Sequence, residues 1–262
     1  MGDFLVHLPL AISASLIILA LCAFAWGGLL FVRRRVLPRL RVHPEDSNFV
    51  GAMVQAVMVF YGLALALIAV NVWQAYSDTS KIVSLEATAL AALYRDVSGY
   101  PDPAQSELKR ELRDYVNQII HEAWPLQKKG QVPSAGVEYM TRFQTILIGC
   151  EPATEGQKLL HAETLRAYNH LTICRRMRVD VVKTGLPVVL WIVVGAGAVI
   201  SLSASFFFKV EDARLHGILV ILLAMFIGLV IFMTLALDRP FCGDLGITPE
   251  PYQLIYDQLM KS

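Results

Sequence analysis

The sequence is short of charge. Only 17% of its 262 residues are Asp, Glu, Lys or Arg, where a soluble domain carries about 25%, and 55% are hydrophobic. The 23 basic and 22 acidic residues leave a formal net charge of +1. No excess of either sign recommends nucleic acid or an acidic substrate as a partner. Cysteine is scarce as well. Cys22, Cys150, Cys174 and Cys242 contain no CxxC pair, which removes zinc-knuckle spacing and a dense disulfide framework. Whether Cys150, Cys174 or Cys242 form disulfides is left open by their spacing. Strand-like alternation, internal repeats and low-complexity segments are also missing.

Catalytic signatures are equally thin. His121-Glu122 opens a metalloprotease-like pattern, but Pro125 occupies the place of the second histidine. The six histidines, at 7, 43, 121, 161, 170 and 216, are scattered, and His161, Glu163 and His170 form only a loose cluster. There is no GxSxG elbow. Gly195-Ala196-Gly197 lies inside an apolar run with no GK[ST] after it, so it is not a phosphate loop. The sequence predicts a protein that is not an enzyme, with no cofactor and no resident metal. An enzyme built on the His161 cluster is the weakest reading.

What the chain has in abundance is long apolar runs. Residues 8–32, 50–73, 186–208 and 215–237 are uncharged, and each exceeds the roughly 20 residues needed to cross about 30 Å of hydrocarbon. Basic residues follow the first run rather than precede it, so it is expected to be a retained span and not a cleaved signal. The connection 209–214 is short, which makes the last two spans an antiparallel hairpin. The predicted fold is an all-α polytopic membrane protein. It divides into transmembrane helices 1 and 2 (8–73), a helical extramembrane domain (74–185), a transmembrane hairpin of helices 3 and 4 (186–237) and a juxtamembrane carboxyl-terminal segment (238–262). The expected location is a prokaryotic cytoplasmic membrane, with the lipid bilayer as the first partner.

The insertion reads as helix throughout. Ile82, Leu85, Ala89 and Leu93, then Leu108, Leu112, Tyr115 and Ile119, recur at helical spacing. Breaks at Gly99 through Pro103, at Lys128 through Ser134 and at Gly149 through Pro152 predict helices over 77–98, 103–126, 134–149 and 153–183. The first and last are expected to continue spans two and three without interruption. Two basic clusters disagree about orientation. Arg33, Arg34, Arg35, Arg39 and Arg41, with Lys209 and Arg214, place the short loops in the cytoplasm and the insertion outside. Arg175, Arg176, Arg178 and Lys183 favour the reverse. Short loops weigh most in this rule, so the first cluster is preferred.

Several residues are candidates for function. On span two, Val57, Tyr61, Ala64, Ile68 and Asn71 share an arc of roughly 80°. Such a mixed stripe either lines a pore, with Val57 and Ile68 as apolar constrictions, or packs against another helix. Gly197, Ser201 and Ser205 recur every four residues on span three, a small-residue face suited to helix packing. Pro187 fits the first turn of that span. Glu86, in an apolar run, is read as a salt-bridge partner for an arginine before span three or as an ion-facing carboxylate, with Arg95 as a second charge at a pore mouth. The tail combines Asp238, Arg239, Pro240, Phe241, Gly243 and Asp244 with a helix opened by Pro249, Glu250 and Pro251. Thr248 is its expected cap, and Tyr252, Ile255 and Leu259 its apolar face.

LEATALAALYRD (85–96), DYVNQIIHEAWP (114–125) and LDRPFCGDLGITPEPY (237–252) resemble a family of prokaryotic four-span membrane proteins of unknown function classed as bestrophin-like. The likeness covers essentially the whole chain. Bestrophins are homopentameric anion channels with four spans, a helical region between spans two and three, and a pore lined by span two. The resemblance therefore implies a homo-oligomer, with a pentamer favoured, conducting permeant ions passively past the Val57 to Asn71 stripe. It also implies a cytoplasmic insertion, against the arginine-weighted orientation. Pro240-Phe241-Cys242-Gly243-Asp244 is similar to the asparagine-proline-phenylalanine-glycine motif after the last bestrophin span. Only Asp244 and Glu250 follow it, short of the about six to eight oxygens that calcium prefers, so calcium gating is not expected. The alternative is a non-conducting membrane scaffold or sensor whose helical domain binds a partner or ligand.

Overall fold

The computed structural model describes residues 9–39, 46–208 and 212–261, and of residues 46–50 the backbone alone. The expectations resting on Arg41, Lys209, His7 and His43 lie outside the described residues. Among those described, every regular element is helical. Helix α1 spans Leu10–Phe31 and runs into a π-helical turn, Val32–Val36. Helix α2 spans Asp46–Val97, α3 Ala104–Gln118 and α4 Trp124–Lys128, the last two joined by a π-helical turn at Ile119–Ala123. Then follow α5 (Gly136–Ile148), α6 (Glu155–Asp180), α7 (Val188–Ser205), α8 (Ala213–Leu237) and the short α9 (Glu250–Ile255). Among the described residues, four helices are long and apolar enough to cross a membrane: Leu10–Val36, Gly51–Val97, Val188–Ser205 and Ala213–Leu237. The chain is an all-α polytopic membrane protein.

Two expectations about the stalks part company. Helix α2 continues from the second span into the insertion without a break, because no proline interrupts its 52 residues. The last insertion helix does not continue into the third span. After α6 a single 3-10 turn, Val181–Lys183, precedes four non-helical residues, and α7 starts only at Val188 with Pro187 as its N-cap. Proline disfavours helical backbone at the residue before it, and Gly185 adds conformational cost to any helix drawn through this point. The third span is correspondingly shorter than 186–208.

The chain divides into two compact units. The first comprises Met1–Gln74 and Gly185–Asp238, and the second Ala75–Thr184 and Arg239–Ser262. In the first, α1 lies along α8 and α7 touches both, around Ala25, Leu29, Ala198, Leu202, Phe206, Val220 and Ala224. A methyl group at Gly28 would overlap the Phe206 ring, so glycine sets the distance between α1 and α7. In the second unit, Leu108, Leu112 and Tyr115 of α3 and Ile119 of the following π-helical turn are fully buried against Leu90, Leu93, Phe143, Leu147 and Leu171. Thr154 starts α6 with a capping box. Its Oγ1 accepts from Gln157 N at 3.2 Å, and Gln157 Oε1 accepts from Thr154 N at 3.1 Å.

The inward face of α2 in this unit is only partly the expected one. Ala89 and Leu93 are buried as expected, but Leu85 is 51% exposed and Ile82 half-buried, and Val83, Glu86, Ala87 and Leu90 complete the inward face. The apolar spacing alone finds Ala89 and Leu93 but picks Leu85 over Glu86, because the inward face carries an acid whose charge is compensated inside the core. The carboxyl-terminal helix also starts differently. Pro249 is the N-cap of α9 with no side-chain cap bond, and Thr248 lies outside the helix, exposed.

Candidate functional site

In the membrane unit the side chains of α2 are sorted by their contact with α7. Tyr61 donates its hydroxyl to the Val194 carbonyl oxygen at 3.1 Å, satisfying a polar group that lipid cannot. Leu65 and Ile68 pack on Val194, beside Leu186 and Leu190. The Tyr61 ring lies over Gly197, where a methyl group would overlap it. The small-residue face of α7 is thus occupied at Gly197 by this ring. Ser201 and Ser205 are buried further along, with the Ser205 hydroxyl donating to Leu202 O at 2.7 Å and the Ser205 carbonyl 3.1 Å from His216 Nε2 on α8.

The predicted stripe is therefore divided. Tyr61 and Ile68 turn toward α7 of the same chain, Ala64 is half-buried, and Val57 and Asn71 are exposed. Beside the latter three the helix exposes Met53, Phe60 and Leu67, with Phe60 at 74%. The resulting line, Met53, Val57, Phe60, Ala64, Leu67 and Asn71, alternates steps of four and three and marks one continuous strip of a helix. Gln55 is also exposed, on the other side of α2 from Asn71.

The second unit has a buried polar centre. Glu86 on α2 is 0% exposed and Arg178 on α6 is 2% exposed. Arg178 grips the carboxylate with two hydrogen bonds, Nε to Oε2 at 2.5 Å and Nη2 to Oε1 at 3.2 Å. Tyr115 on α3 donates its hydroxyl to Oε1 at 2.9 Å, and Tyr252 on α9 donates to Oε2 at 3.0 Å. Four donors on one carboxylate offset the desolvation of the charge. Burial, and then the Glu86 charge, push both phenols above their ordinary range. Burial alone would lower Arg178, but the adjacent carboxylate outweighs it and holds the guanidinium charged beyond its usual range. The rings of Trp124 and Tyr252 flank this cation, at 6.0 and 5.8 Å from its central carbon.

The carboxyl-terminal motif is folded onto that centre. Phe241 and Tyr252 meet the Trp124 ring edge-on, at centroid distances of 5.5 and 5.6 Å. The Trp124 indole donates to Ile247 O at 3.1 Å, and Tyr76 donates to Leu245 O at 3.0 Å. The turn itself is closed by Ile247 N donating to Pro240 O at 2.8 Å. It needs glycine twice. Gly243 has a φ of 72°, and a methyl group at Gly246 would strike the Phe241 carbonyl. In the membrane unit Asp238 ends α8 and accepts from Leu186 N at 2.6 Å, giving a partner to an amide in the break before α7. Asp244 and Glu250 are both exposed, as is Arg95 on α2, while Pro249 and Pro251 are half-buried.

Elsewhere, His121 and Glu122 are exposed on the π-helical turn. His161 contacts Tyr100, Glu163 pairs with Arg166 at 3.0 Å, and His170 is 3.8 Å from Cys174 Sγ. The convergence of Tyr115 and Tyr252 on Glu86, with Trp124 flanking Arg178, was not foreseen from the sequence. A signal existed, since Tyr115 and Tyr252 each lie on an apolar helix face and a buried phenol requires a partner.

Compared with known proteins, the chain matches the family model described as Bestrophin-like domain over residues 19–252. No curated protein and no solved structure matches it. That match takes in α2, the Glu86 centre and the carboxyl-terminal motif as far as Tyr252, and the chain belongs to the bestrophin-like family.

Proposed function

We propose that the protein is a homo-oligomeric ion channel, a pentamer by preference, in which α2 surrounds the symmetry axis and ions pass without coupled chemistry. One observation carries the reading. Span two exposes amides on two opposite sides, Asn71 and Gln55, while its remaining side is taken up by α7. A helix with lipid on both free sides would bury both amides in hydrocarbon, at a cost of several kcal/mol for each unsatisfied polar group. A ring with α2 innermost gives each amide a polar neighbour, one side meeting pore water and the other the adjacent subunit. The axis-facing residues in this reading are Met53, Val57, Phe60, Ala64, Leu67 and Asn71. Tyr61 and Ile68 instead hold α2 to α7. Large apolar side chains such as Phe60 then form a constriction that gates by dewetting, and Asn71 lies in a wetter stretch. Family membership favours this over a non-conducting scaffold, and no catalytic step is assigned to the chain.

The test is conduction by purified protein in planar bilayers. Val57→Cys and Phe60→Cys channels are expected to lose current on treatment with a charged aqueous thiol reagent, while Tyr61→Cys channels are spared. Absence of current across chloride, sodium and potassium salts, or a monomer in lipid nanodiscs, would refute the channel reading.

A further inference from the structure

The second unit holds a cavity that the channel reading does not use. It lies between the turn at residues 99–104 and the start of α6, and its volume is about 170 Å³. A cavity of about 150 Å³ is enough to hold benzene, so this one suits a ligand of roughly that size. Its lining includes the buried Tyr100 and the half-buried Leu160, His161 and Cys150, read as its inner wall, and the exposed Asp102 and Glu151, read as its mouth. We propose that this cavity binds a small organic cation, an ammonium group attached to a flat apolar body, with the body against the inner wall and the charge at the mouth.

The wall is held in place by its own contacts. The Tyr100 hydroxyl and His161 Nδ1 are 2.9 Å apart, and the two rings meet edge to face at 6.1 Å. Tyr100 is nearly buried. Gly99 lets Leu160 approach so closely that a methyl group there would overlap it. Gln157, another wall residue, is fixed by the capping box of α6. A pocket ordered in advance spends little binding energy on closing around its ligand.

The charge of the ligand follows from the mouth. Asp102 and Glu151 have no cationic partner among the described residues, and the one side-chain bond to Asp102 comes from the neutral Ser106 hydroxyl at 2.6 Å. No lysine or arginine lines the cavity. The nearby Lys158 and Arg166 are engaged by Glu155 and Glu163. Burial, and then the charge of Glu107, push the Cys150 thiol upward. An ammonium group gains from the carboxylates at the mouth and from the aromatic face, whereas a carboxylate is repelled. A metal ion is the less suitable occupant, since no three His, Cys, Asp or Glu among the described residues are grouped to hold one.

The test uses the full chain in lipid nanodiscs and reads saturable binding of benzylammonium, benzyl alcohol and benzoate by ligand-observed NMR at neutral pH and low salt. Benzylammonium is expected to bind about tenfold more tightly than the alcohol, as two exposed carboxylates at modest individual strength allow, and benzoate weakest. The exposed pair Asp102→Asn with Glu151→Gln should erase that preference and leave the weak binding of the alcohol. Leu160→Trp should fill the cavity and abolish both. Equal affinity for amine and alcohol, tightest binding of benzoate, or undiminished binding to Leu160→Trp would each overturn the proposal. No current is measured, so the result is independent of whether the protein conducts.

Discussion

Glu86→Gln is the sharpest perturbation of the second unit. It keeps the side chain's shape, removes its charge and replaces one of two acceptor oxygens by a donor. Two guanidinium N–H groups and two phenols point at that carboxylate. After the change, one oxygen must serve all four, the new amide faces donors, and the Arg178 charge is left buried without a counter-charge. Breaking one partner of a buried pair costs about 3–5 kcal/mol, and a hydrogen bond to a charged group contributes about 1.5–3 kcal/mol. Glu86→Gln is expected to destabilise the unit by about 4 kcal/mol, and Tyr252→Phe by about 2 kcal/mol. The double change Glu86→Leu with Arg178→Met removes both charges and should recover much of the loss, short of the wild type because Tyr115 and Tyr252 then lack their acceptor. Amide hydrogen exchange of residues 250–260 in the detergent-solubilised chain provides a local readout, because Tyr252 ties that segment to Glu86. Additivity of Glu86→Leu and Arg178→Met, each measured alone, within about 0.5 kcal/mol of the double change, or unaltered exchange in Glu86→Gln, would refute the view that this ion pair organises the unit.

The same centre makes the protein sensitive to alkali. The Tyr115 and Tyr252 phenols lie above their unfolded value of about 10, raised first by burial and then by Glu86. The stability they contribute is fully present below pH 10 and is lost as the pH climbs from there toward their folded values. Thermal unfolding should therefore drop above about pH 10, and more shallowly in Tyr115→Phe with Tyr252→Phe; an unchanged alkaline slope in that variant would dismiss the two phenols as the cause. Gly243→Ala puts a side chain at a φ of 72° and is expected to cost about 1–2 kcal/mol, read from the unfolding midpoint, whereas an unshifted midpoint would mean the turn relaxes freely. In the membrane unit, Asp238→Ala removes the acceptor of Leu186 N. Faster exchange of that amide is the expected result, and an unaltered rate would show that the bond contributes nothing.

The large-scale architecture was legible because it follows from one strong constraint. A bilayer demands long uncharged helices, and charge-free runs of that length are conspicuous in a chain that is 17% charged overall. The insertion was legible for a related reason. Leu108, Leu112, Tyr115 and Ile119 repeat at helical spacing and all four are buried. Boundaries governed by a single residue were less accessible. Pro187 fits the first turn of a span and the break before one equally well, and Leu186 N finding Asp238 settles the choice through a contact 52 residues away. The acid on the inward face of α2 was missed for a deeper reason. Apolar periodicity treats a carboxylate as a surface residue, yet Glu86 is inside because Arg178, Tyr115 and Tyr252, from three other helices, meet it there. No local rule contains that information.

The membrane face of α2 shows the same limit from the opposite direction. Inside a bilayer, hydrophobicity does not distinguish lipid-facing positions from packed ones, since hydrocarbon is as apolar as a neighbouring leucine. Tyr61 and Asn71 therefore looked alike in the sequence, two polar side chains on one arc. The difference lies in their partners. Tyr61 finds the Val194 carbonyl and the space left by Gly197, whereas Asn71 stays exposed. Gly197→Leu fills that space and should force the Tyr61 ring off α7, while Tyr61→Phe removes only the hydroxyl and should cost about 0.6 kcal/mol, the average for a hydrogen bond between spans. If both variants unfold like the wild type in detergent and keep the same crosslinking between α2 and α7, the Tyr61 contact is not what joins these helices. The division of α2 into a packed side and an axis-facing strip would then have to be redrawn.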